Sequence, residues 1–174
     1  MLSNFLEKVS RVNNCLPFGA VLLLFALAGC AGDAQALGDS PKAEGCHLSM
    51  DLEDLATEFR SLRMIKGHFE GGPRNADVDQ WMGRKHQIMI QLGSLLGSGG
   101  CGKVQINRLL GPPDLTAREG DVPFHLVNTS PKFKKPASGQ YELLIYYWRG
   151  THDFLYLTSQ GETILNSGWW HAGE

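Results

Sequence analysis

Residues 141–148 read YELLIYYW. Their aromatic and β-branched content marks an extended segment, and successive side chains of a strand point to opposite faces. Tyr141, Leu143, Ile145 and Tyr147 therefore share one face, and Glu142, Leu144, Tyr146 and Trp148 the other. Both faces are largely apolar, whereas a sheet with one wet face alternates apolar and polar residues. Either this strand is central and covered on both sides, or one aromatic face is offered to a partner. In the second case Tyr146, Trp148, Tyr156 and Trp170 are the candidate partner-binding residues, since aromatic side chains dominate interface energetics. Such a platform suits a protein partner or a saccharide.

What precedes this strand has a different period. Leu52, Leu55, Phe59, Leu62 and Ile65 recur at three and four residues, which predicts a helix capped at Asp51, with Met50 and Leu55 as a hydrophobic staple and Gly67 as its end. The glycine- and proline-rich GHFEGGPRNAD reads as a loop. A second helix is expected from an Asp77 cap to Gly97, with Val78, Trp81/Met82, Ile88/Met89, Leu92 and Leu95/Leu96 as its apolar stripe. Gly83 and Gly93 interrupt that stripe and point to close packing. A short third helix, Val104 to Leu110, stops at Gly111-Pro112-Pro113. Strands are expected at Phe124–Val127, Tyr141–Trp148, Phe154–Thr158 and Thr163–Asn166, with Trp169-Trp170 a further extended pair. Arg149–His152 and Ser159–Glu162 are turns short enough to require antiparallel neighbours. The fold class is thus α+β, with two longer helices and one short helix followed by a three- to four-stranded antiparallel meander.

The beginning of the chain carries an address. Lys8 and Arg11 outweigh Glu7, and the next segment, LPFGAVLLLFALAG (16–29), has no charge. Its helical length of about 21 Å is short of the roughly 30 Å bilayer core, so it reads as a secretory signal rather than a spanning anchor. Leu27-Ala28-Gly29-Cys30 resembles a bacterial lipobox, in which the cysteine sulfur takes a diacylglycerol; ordinary cleavage after Ala28 or Ala36 is the other reading. Residues 1–29 are then signal peptide, and Cys30 is the lipidation site. Residues 30–45 form a small, polar tether, and 46–174 a single domain. Acyl chains on Cys30 hold a protein to a membrane, and Ala31 after the cysteine points to the outer membrane of a two-membrane host. Cys46 and Cys101 remain, and two thiols in an oxidising compartment pair.

At LLGPPD (Leu109 to Asp114), preceded by a short helix and followed by strands, the chain resembles the SmpA/OmlA family of small outer-membrane lipoproteins, whose wider fold group includes β-lactamase-inhibitor-like proteins. The likeness covers Val104 to Trp170. It implies a three-stranded antiparallel sheet after a helical pair, and a lipid-tethered scaffold or inhibitor-like binding module rather than an enzyme.

Charge and motifs remove several functions. With Lys8, Arg11 and Glu7 gone from 16 basic and 18 acidic residues, 14 and 17 remain, a balance that argues against a nucleic-acid partner. The basic cluster Lys132, Lys134 and Lys135 lies between prolines and reads as a solvated loop. The six histidines, His47, His68, His86, His125, His152 and His171, show no metal-ligand spacing. There is no G-x-S-x-G elbow and no phosphate loop, so no cofactor is expected. The best catalytic material is WRGTHD, with His171 and Glu174 near the end. His152 with Asp153 is the candidate general-base pair of a small hydrolase, although neighbours on a strand face opposite ways and Asp153 is expected to pair with Arg149 instead. The reading that results is a lipid-anchored cell-envelope protein acting as a non-catalytic binding or assembly-supporting module, with the hydrolase as its alternative.

Overall fold

A hydroxyl sets the start of the helical layer. The computed structural model describes Cys46 and residues 49–172; Cys30 and the signal and tether expectations lie outside the described residues. Ser49 caps α1 (Met50–Arg63) by accepting the Leu52 N–H at 3.2 Å. Asp51, the expected cap, therefore sits inside the first turn, where its charge suits the helix dipole. Met50 is exposed rather than stapled, and Ile65 falls beyond the helix end and is exposed. Leu52, Ala56, Phe59 and Leu62 form the buried stripe.

The single helix expected over residues 77–97 is two. α2 (Ala76–Asp79) is capped by Asn75, whose side chain accepts the Asp77 N–H, and α3 spans Arg84–Leu96. Between them Met82 adopts φ 59°, the only positive φ among the described non-glycine residues. Gly83 sits so close to α2 that a Cβ there would lie 2.3 Å from the Ala76 carbonyl oxygen, so the chain turns where a side chain has no room. Trp81 and Met82 are consequently half-exposed rather than part of a continuous stripe. Gly93 meets the expectation of close packing: a Cβ there would come within 2.7 Å of Leu155. α4 (Lys103–Leu110) is the last helix before the first strand, and the connector after α1 is loop apart from one 3-10 turn, His68–Glu70.

The sheet is a four-stranded antiparallel meander in the order β1-β2-β3-β4. β1 (Leu115–Ala117) was not expected and pairs with β2 (Glu142–Arg149); β3 is Asp153–Gln160, and β4 runs unbroken over Thr163–Trp170. Phe124–Val127, expected as a strand, lies instead in α5 (Val122–Thr129). Pro123 occupies its first turn, where a missing N–H costs nothing, and Phe124 and Val127, three apart, are the residues it buries.

β2 is covered on both sides. Leu144, Tyr146 and Trp148 pack into the larger core with α1, α3 and α4, while Leu143 and Ile145 pack beneath α5 with Phe124, Val127, Phe154 and Tyr156. The two apolar faces of YELLIYYW thus have two separate cores to fill. At the far end of the sheet Cys46 and Cys101 form a disulfide, and the Cys101 carbonyl accepts the Ile164 N–H at 2.9 Å. No helix among the described residues is long and apolar enough to cross a membrane.

Candidate functional site

Burial settles the aromatic platform first. Tyr146 and Trp148 are 0 % exposed and Tyr156 is 5 % exposed, so three of the four candidate residues are core and present no surface. Trp170 is half-buried against the smaller core. Tyr146 donates its hydroxyl hydrogen to the Gly111 carbonyl at 3.2 Å, and burial pushes its phenol far above the ordinary range.

The His152–Asp153 pair is not formed. Asp153 is buried, its Oδ2 accepting from Arg149 Nε at 2.6 Å and its Oδ1 from the Ala172 N–H at 3.0 Å. The expected Arg149 pairing is therefore present. His152 is exposed and has no hydrogen bond or ion pair with any described residue. The histidine facing Asp153 is His171, with Nδ1 3.8 Å from Oδ1, beyond hydrogen-bond reach.

His171 belongs to a nest of rings. His86, buried on α3, stacks on Trp148 with centroids 4.2 Å apart, Trp169 stacks on His171 at 5.3 Å, and Trp81 covers His86 at 4.4 Å. His86 Nδ1 accepts the Met82 N–H at 3.2 Å, which fixes the neutral ring with its proton on Nε2. Burial, then His171 and Arg149, hold this imidazole below the usual histidine range. The Arg149 guanidinium lies 4.2 Å over Trp148 and 5.2 Å over Phe69, so it joins the nest to the wall of a neighbouring cleft.

That cleft, of about 360 Å³, opens at the β2–β3 turn. Its walls are Phe69 and Glu70 on the 3-10 turn and Gly150–His152 on the hairpin; Arg63, Asp114 and Lys85 lie deeper. Each wall has a physical anchor. The buried Asp79 carboxylate accepts the His68 N–H at 3.0 Å and the Asn75 N–H at 2.8 Å, which pins the 3-10 turn to α2. Desolvation raises the Asp79 carboxyl, but these backbone hydrogen bonds outweigh it and hold the group below the ordinary carboxylate range. Arg63 Nη1 donates to the carbonyls of Leu110 at 2.9 Å and Pro112 at 3.0 Å, and Nη2 to Asp114 Oδ1. Asp114 Oδ2 accepts the Tyr147 N–H at 2.8 Å. LLGPPD is thus a turn whose free carbonyls and carboxylate are clasped by an arginine of α1.

Lys85 differs from all of these. It is 2 % exposed, lines the cleft, and makes no hydrogen bond or ion pair with any described residue. Burial pushes its ammonium below the usual lysine range, while Glu70 and Asp114 oppose that shift from beyond contact distance. A buried lysine is ordinarily paired, so this one marks the cleft as the candidate site. The pattern held the signal: Lys85 stands three and four residues before Ile88 and Met89, at the position where the apolar stripe after Val78 and Trp81/Met82 should repeat. Arg63, Glu70 and Asp114 carried no such mark, because only the fold brings them together.

A wider cleft of about 730 Å³ lies at the opposite end of β2, lined by Lys103, Arg118, Phe124, Lys135, Tyr141 and Glu142 among others. Its half-buried carboxylate is neutralised: Glu142 binds Lys103 and, at 2.8 Å, Arg118. Lys135 thus lines a cleft, and Asn166 donates to the Lys134 carbonyl at 3.1 Å. Among the described residues no three His, Cys, Asp or Glu side chains are grouped to hold a metal ion. Comparisons with protein-family models, with curated proteins and with solved structures returned no match to this chain.

Proposed function

We propose that this chain is a lipid-anchored cell-envelope protein whose domain is a non-catalytic binding module. The observation that carries the binding part is the cleft at the β2–β3 turn, where a buried cation without a partner among the described residues faces open space. Keeping a desolvated charge unpaired lowers stability, and a bound group that pairs with it offsets that cost. The Cys46–Cys101 disulfide supports an oxidising compartment, in agreement with the signal-like start and the lipobox-like Leu27–Cys30. Ala31 after the cysteine favours the outer membrane in a two-membrane host, and the likeness of Leu109–Asp114 to the SmpA/OmlA turn favours an assembly-supporting role with a protein partner. Catalysis by His152 is the weaker reading, because the carboxylate beside it is turned inward and held by Arg149 and Ala172.

Two measurements test the proposal. Radiolabelled palmitate should appear on the full chain and vanish from Cys30→Ser, which should also leave the membrane fraction; label that survives the substitution overturns the anchor. A photoreactive amino acid replacing His152 at the cleft rim should give one adduct of defined mass in intact cells. No adduct would count against the binding module.

A further inference from the structure

We propose that the Lys85 cleft binds a compact ligand through a phosphate or carboxylate group seated on the Lys85 ammonium; this rests on the binding-module reading above. An ammonium carries three N–H donors and no acceptor, and among the described residues none of them is used. None of the neighbouring charges is within ion-pair distance of it. Asp114 has one oxygen on Arg63 and the other on the Tyr147 N–H, while Glu70 stands on the exposed 3-10 turn. Arg63 is committed in turn to two carbonyls and to Asp114. The Arg63–Asp114 pair cancels itself, Glu70 is screened by solvent at the rim, and the one uncompensated charge at depth is positive.

Those facts select an acceptor oxygen with a negative charge, since charge-assisted hydrogen bonds are about twice as strong as neutral ones and gain most where water is excluded. The rest of the cleft limits the body of the ligand. Its volume lies near the lower end of small-molecule sites, and its aromatic walls are Phe69, which is half-exposed and held under Arg149, and Tyr147. An acid group with a small ring or short chain fits; a long polymer does not. Burial already holds the ammonium below its ordinary range, and an oxyanion bound there would raise it again.

The test is thermal unfolding of the full chain in detergent, with inorganic phosphate and succinate as separate probes and Lys85→Met as the control. At ten times the dissociation constant the effective probe should raise the wild-type Tm by about 5 °C. The phosphate and succinate arms tell which acid group the cleft takes. K85M should show no such rise, and its ligand-free Tm should not fall below that of wild type, because a methionine fills the space without a charge to desolvate. Should K85M fail to fold, the side-chain resonances of Lys85 in the wild-type chain decide: they move with phosphate or succinate if the proposal holds. A Tm rise that persists in K85M, or unmoved Lys85 resonances with both probes, overturns it. If that happens while the His152 cross-link still forms, the binding module stands and only the anion assignment falls. If neither is seen, both fall.

Discussion

Replacing Cys46 and Cys101 together by alanine should cost this domain a large part of its stability. The bridge closes a loop with a sequence separation of 55 residues, and that loop contains α1, α2 and α3 entire. In the chain-entropy account, freeing such a loop in the unfolded state destabilises the fold by about 4 kcal/mol. Domains of this size are stable by roughly 5–15 kcal/mol, so the loss is a substantial fraction. It corresponds to a fall in Tm of about 15 °C. The assay is equilibrium urea unfolding of three samples: oxidised wild type, reduced wild type, and the double alanine variant. The last two should agree closely, since both remove the cross-link, with a small extra loss in the variant because Cys101 is buried. The slope with urea should increase, because an unbridged unfolded chain exposes more surface. A loss below about 1 kcal/mol would refute the argument, as it would mean that the unfolded ensemble stays equally compact without the bridge.

Two further outcomes follow from single side chains. Asp153→Asn keeps the shape but removes the charge that binds Arg149 and Ala172, and should lower stability by about 2–3 kcal/mol, read as a shift in urea midpoint; an effect within 0.5 kcal/mol, the ordinary range for surface substitutions, would show that the pair is not structural. His86 is held below its ordinary range by burial, then by His171 and Arg149. It is neutral in the fold, whereas the unfolded chain takes up its proton near pH 6.5. Below that value the unfolded state binds more protons, so stability should fall as pH drops from about 6.5 toward the lower folded value, by up to about 1.4 kcal/mol per pH unit. Tryptophan fluorescence should report the change through Trp148. His86→Gln should flatten the profile in that window, and an unchanged profile would assign the acid sensitivity to other groups.

The strand YELLIYYW was legible because an eight-residue apolar run has few places to go, and of its two possible fates the covered one occurred: α5 and the helical layer each take a face. The helix of residues 84–96 was legible from its stripe, yet its start was not. The break at Gln80–Gly83 depends on the approach of α2's carbonyls to Gly83, a tertiary contact that periodicity does not encode. Phe124–Val127 was read as a strand because four apolar residues fit either period; Pro123 in the first turn and the spacing of three were the better guides. β1 is three residues long and gains its identity only from pairing with β2. Of the candidate site only one rim residue, His152, stands among the residues expected from the sequence, and there as a general base; Lys85, out of step with the apolar stripe, does not, and the remaining groups come from α1, the 3-10 turn and LLGPPD, which nothing local connects.

The bridge also decides how the domain bears load. Cys101 meets β4 at the β3–β4 turn, while the cleft opens at the β2–β3 turn, so one strand length, about 26 Å for eight residues, separates them. A pull arriving through Cys46 crosses the sulfurs into Cys101 and from there into β4 through Ile164, without stretching α1. Arg63, and the LLGPPD clasp it maintains, are thereby shielded from mechanical strain on the polypeptide upstream.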